Sequence, residues 1–76
     1  MKPRTYPVVI QEGEDGKFIA SCPAIDGCLT QGDSIPDAVR NIREAIALCL
    51  EDMSQRGEAL PQADQQTFLT EVAVET

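Results

Sequence analysis

One uninterrupted apolar stripe constrains the possible folds of this chain more than any other feature. Ile35, Ala38, Val39, Ile42, Ala45, Ile46, Cys49, Leu50 and Met53 recur at spacings of three, four and seven residues, the period of an α-helix that buries one face. Arg40, Asn41, Arg43, Glu44, Glu51, Asp52 and Gln55 lie off the stripe. The start signal is Asp33 or Ser34 as N-cap. Ser34 with Asp37 three residues later resembles a capping box, and Pro36 falls in the first turn, where a missing N–H costs nothing. Gly57 suits a left-handed C-cap, and Pro61 prevents the helix from continuing. Such a helix needs an apolar surface to lie on, and the rest of the chain must supply it.

The flanking segments change period from 3.6 to two, which predicts that the surface is a sheet. Residues 5–11 place Tyr6, Val8 and Ile10 on one side, with Pro7 confining this strand to an edge or standing among its first residues. After the turn cluster Gly13, Glu14, Asp15 and Gly16, residues 17–22 place Phe18, Ala20 and Cys22 on one face and end at Pro23. Together the two segments predict a hairpin. Residues 28–31, between Gly27 and Gly32, predict a third short strand, and residues 67–75 a last one with Phe68, Thr70, Val72 and Val74 facing one way. The class is α+β, in the order β-β-β-α-β, with one helix packed on a small sheet. Residues 1–76 read as a single domain. A lone helix covers only one face, so the other, carrying Val9, Ile19, Leu29, Leu69 or Ala73 depending on register, is left to solvent or to a partner, as is any unpaired sheet edge.

A chain this short buries only about 60% of its unfolded surface, so its stability margin is thin. Disulfides, metals or oligomerisation often supply the difference. Three cysteines, none in a C-x-x-C pair, and no histidine give no zinc set. Cys22, Cys28 and Cys49 read as reduced core thiols, and Cys28 has no cationic neighbour in sequence to activate it. Oxidation of Cys22 and Cys28 would close a small ring, incidental in a reducing compartment. No apolar run approaches the ~20 residues of a membrane span, and no signal-peptide pattern follows Met1. The expected localisation is cytoplasmic, with no membrane contact.

Thirteen acidic against six basic residues give a formal charge of −7, which argues against direct DNA or RNA binding and favours a basic partner. The absence of histidine excludes Ser-His and Cys-His nucleophiles. Carboxylates are the remaining catalytic candidates, but a two-metal nuclease needs several of them converging from strand centres and a helix. Glu71 alone stands mid-strand, so a carboxylate and metal nuclease is the minor alternative. No glycine-rich phosphate loop is present, and no catalytic residue, metal or cofactor is expected.

In order along the chain come Tyr6-Pro7-Val8-Val9-Ile10, the Gly13 to Gly16 turn and Phe18-Ile19-Ala20. The run Pro23-Ala24-Ile25-Asp26-Gly27-Cys28-Leu29-Thr30-Gln31-Gly32-Asp33-Ser34 follows, then Asp37-Ala38-Val39, Asn41 to Ile46 and Gly57-Glu58-Ala59-Leu60-Pro61. From residue 5 to about 61 this resembles the HicB family of antitoxins. The resemblance implies a partial ribonuclease H-like fold without nuclease activity. It also implies a type II toxin-antitoxin role, in which the chain neutralises a small basic HicA-type toxin that cleaves messenger RNA. A homo-oligomer, dimer or tetramer, is implied too. Many members continue into a helix-turn-helix or ribbon-helix-helix segment that binds the operator. This sequence stops at Thr76, so operator binding is not expected. From charge, the partner-binding residues are Glu14, Asp15, Asp26 and Asp33, with Asp37 a capping alternative. The alternative role is a solitary oligomeric module with another partner.

Overall fold

The computed structural model describes residues 4–61, 70 and 72–75. Three strands, β1 (Val9–Glu12), β2 (Phe18–Ser21) and β3 (Leu29–Gly32), precede one helix, α1 (Ile35–Gln55). The strands form an antiparallel meander in the order β1-β2-β3. In register, Val9 pairs with Ser21 and Gln11 with Ile19 on one side of β2, while Ala20 pairs with Thr30 and Phe18 with Gly32 on the other. The α+β class and the one-helix-on-a-sheet architecture are as the periodicity predicted. Of the predicted last strand, residues 67–69 and 71 lie outside the described residues. Thr70 and residues 72–75 have no strand assignment.

The core forms where the two periods meet. Ala20, Cys22, Ile25, Cys28, Ala38 and Ile42 are buried, and Tyr6, Val8, Ile10, Phe18, Ala45, Ile46, Cys49, Leu50 and Met53 pack around them. Ile35 and Val39 belong to the helical stripe yet stay exposed. The first opens the helix and the second lies on the stripe's flank, so the small sheet does not fully cover them. Gly32 lets the helix come this close: a Cβ there would lie 2.5 Å from the Ala38 nitrogen.

Ser34, not Asp33, caps α1, with extended backbone and its Oγ accepting from the Asp37 N–H at 3.2 Å. At the other end Gly57 takes a φ of +74°. The Glu58 N–H donates to the Met53 carbonyl at 2.9 Å and the Gly57 N–H to the Ser54 carbonyl at 3.1 Å, the two bonds of a Schellman cap. Arg56 at the C-cap pairs with both Asp52 and Glu58.

The two edges of the sheet differ. Gly13 N–H donates to Lys17 O at 2.6 Å and Cys22 N–H to Cys28 O at 3.1 Å. Bonded pairs in an antiparallel ladder recur every second residue. Val9 and Gln11 therefore bond to β2, and the main-chain groups of Val8, Ile10 and Glu12 face the outer edge. On β3 the outward residues are Leu29 and Gln31, and there the Asn41 side chain donates to the Gln31 carbonyl at 2.8 Å.

Candidate protein-binding surface

The hairpin turn, the end of β3 and the start of α1 converge because Phe18 pairs with Gly32. This places Glu14 and Asp15, exposed in the β1–β2 turn, at the same end of the sheet as Asp33, which follows β3. Lys17 forms an ion pair with Asp33 and ties the turn to that loop. Asp37, in the first turn of α1, pairs with Arg40 three residues along. Its position at the helix N-terminus is favourable for a negative charge. Glu12 at the end of β1 adds a carboxylate to the same end. With Glu12, Glu14, Asp15, Asp33 and Asp37 against Lys17 and Arg40, this end of the molecule carries net negative charge.

Asp26 does not join them. It is exposed in the loop between β2 and β3, at the opposite end of the sheet. That loop is held by the Ile25 N–H donating to Cys22 O and the Cys28 N–H donating to Ile25 O, with the Ile25 side chain buried beneath it. Charge alone groups these four acids, and pairing register divides them three to one. Glu12, which ends β1 beside that turn, stands with the three.

The outer sheet face has a different character. Val9, Gln11, Ile19, Ser21, Leu29 and Gln31 lie on it by strand alternation, and none is charged. Leu29 is 62% exposed, and a shallow depression is lined by Ile19, Leu29, Thr30 and Gln31. Register thus settles which apolar residues of β1 to β3 face away from the helix. A carboxylate in β1 to β3 occurs only at the terminal Glu12, and no cluster of three or more metal-ligating side chains occurs among the described residues.

The three cysteines are unbridged, Cys22 and Cys28 buried and Cys49 partly so. Burial pushes the Cys28 thiol up to about 11, reinforced by the neighbouring Cys49 and Cys22 thiols. At neutral pH Cys28 is protonated and a weak nucleophile. Among the described residues, no helix is long and apolar enough to cross a membrane.

Comparison with known proteins places this geometry. A family model described as the HicB-like antitoxin of bacterial toxin-antitoxin systems matches residues 6–73. A UPF0150 protein of Thermoplasma acidophilum is 39% identical over 56 residues, covering 74% of this chain and 81% of that one. A UPF0150 protein of Helicobacter pylori is 42% identical over 62 residues, covering 82% and 74%. The solved N-terminal domain of Burkholderia pseudomallei antitoxin HicB has the same fold, with a TM-score of 0.68 at 28% identity over 86% of this chain and 72% of that one. The family model spans the three strands and the helix, and the solved domain shares their arrangement: the chain belongs to the HicB-like antitoxin family.

Proposed function

We propose that this chain is a non-catalytic antitoxin that neutralises a basic HicA-type, messenger-RNA-cleaving toxin by occupying the cationic surface on which the toxin binds RNA. The observation that carries this reading is the acidic end of the sheet, where Glu14, Asp15 and Asp33 stand with Glu12 and Asp37. Opposite charge on two partners speeds encounter and fixes orientation, and a bound domain excludes RNA by occupancy. The domain acts in the cytoplasm, has a partial ribonuclease H-like architecture and needs no cofactor. Asp26, at the opposite end of the four-residue strands, would add a separate negative point to the same partner-facing surface.

Titration into a toxin's RNA-cleavage assay is expected to abolish cleavage near one equivalent. Replacing Glu14 and Asp15 by lysine should slow association at least ~10-fold at low salt, with the difference shrinking as salt rises. Undiminished cleavage at several equivalents, or unchanged association by the variant, overturns the reading. A second reading, a self-associating module, is favoured by the uncharged outer face with Ile19 and Leu29 exposed. Light scattering on the isolated chain separates the two.

A further inference from the structure

Cys28 neighbours both other thiols, which reach it from different elements. Cys22 stands opposite it where β2 and β3 part, its N–H donating to the Cys28 carbonyl at 3.1 Å. Cys49 comes from α1, which packs chiefly on β3 and is anchored to it where Gly32 meets Ala38. Measured from that anchor, Cys28 lies back along the strand by about 13 Å, and Cys49 lies forward along the helix by about 16 Å. The helix runs back over β3, so the two come level. A disulfide needs roughly 4–7 Å between Cα atoms, and Gly32, Ala38 and Ala45, small residues on the facing surfaces, let α1 lie low over the sheet. Exposure separates the three thiols: Cys22 and Cys28 are 2% and 4% exposed, whereas Cys49 is only partly buried. An oxidant arriving from water meets Cys49 first.

We propose that Cys49 and Cys28 are an oxidisable pair, which hydrogen peroxide converts to a disulfide that staples α1 to the residue preceding β3. The Cys49 thiolate attacks one peroxide oxygen, the O–O bond breaks, and the released hydroxide takes up the thiol's proton as water, leaving a sulfenic acid at Cys49. The Cys28 sulfur then attacks Cys49 Sγ, the S–O bond breaks, and the hydroxyl leaves with the Cys28 proton as a second water. Two thiols give up two electrons and one peroxide is reduced. Cys28 is a weak nucleophile, but its target is held beside it, which offsets that weakness. A Cys22–Cys28 ring lacks the first step, because neither sulfur is open to the oxidant.

Treating the full, reduced chain with a few equivalents of hydrogen peroxide under native conditions, then mapping peptides by mass spectrometry without reduction, tests this with no toxin present, so the result is independent of the antitoxin reading. The expected product is a monomer with Cys28 joined to Cys49 and Cys22 still free. Its melting midpoint should rise by at least about 5 °C, and dithiothreitol should reverse the rise. Cys28→Ala should leave the sulfenic acid at Cys49 to be captured by dimedone, and Cys22→Ala should leave the bridge intact. Circular dichroism checks that each variant is folded, and the map of the wild-type chain decides the question even where one is not. A Cys22–Cys28 bridge, a dimer linked through Cys49, or three free thiols after treatment overturns the proposal. A Cys28–Cys49 bridge that leaves the midpoint unchanged overturns the stapling.

Discussion

Adding one carbon at Gly32 tests how tightly helix and sheet are locked together. An ideal Cβ there would lie 2.5 Å from Ala38 N, 2.8 Å from Asp37 C and 2.9 Å from Ala38 Cα. Non-bonded carbon contacts settle at about 3.5–4.0 Å, so α1 would have to withdraw by roughly 1 Å. All three obstructing atoms are main chain, and no rotamer change relieves them. Overpacking alone costs about 1–3 kcal/mol. Withdrawal also loosens Ala38 and Ile42, both buried, which places Gly32→Ala at about 3 kcal/mol, the upper end of that range. Against about 4–11 kcal/mol for a chain of this size, the melting temperature should fall by about 12–24 °C. Urea denaturation followed by circular dichroism, with wild type and variant in parallel, measures the loss. Adding Ala38→Gly should not restore stability, because the clash is with backbone. A loss below about 0.5 kcal/mol, or rescue by Ala38→Gly, would refute the close-approach argument.

Other expectations follow from the caps, the thiols and the surface pairs. Ser34→Ala should cost about 1 kcal/mol by leaving the Asp37 N–H without its side-chain acceptor, read as a shifted denaturation midpoint at unchanged slope. Because Cys28 ionises at about 11 when folded against the ordinary 9.0, the unfolded chain loses its proton first. Stability is therefore intact below pH 9 and falls as pH rises toward 11, by up to about 1.4 kcal/mol per pH unit. Cys28→Ala should flatten that slope, and a slope unchanged by the substitution contradicts the assignment. Lys17→Met, which removes the exposed pair with Asp33, should change stability by less than about 1 kcal/mol, measurable by the same denaturation. A larger loss would mean that the turn is held by more than its backbone.

The helix was legible in outline because its signals agree: a nine-residue stripe, Ser34 before it and Gly57 after it. Alternation likewise assigned Ala20 and Cys22 to the core and Ile19 and Leu29 to the outside. Strand boundaries were less legible. The first strand was expected from residue 5 and begins at Val9, since alternation persists in extended chain whether or not a neighbour pairs with it. The site divided in the same way. Charge identified acids, but charge has no periodicity, so only the Phe18–Gly32 register revealed that Asp33 joins Glu14 and Asp15 while Asp26 stands apart. The helix-to-strand bond from Asn41 to Gln31 had no local signature either, because it depends on which side of the helix passes over β3.

That bond limits how such molecules can aggregate. With an amide from α1 seated on the outer carbonyl of β3, the sheet has one receptive rim and one already engaged. Filament growth by sheet extension requires both rims to be open, so that each recruit offers the next a landing place. Here a recruit on β1 could terminate growth but not pass it on, which spares so small a chain the usual hazard of a bare strand.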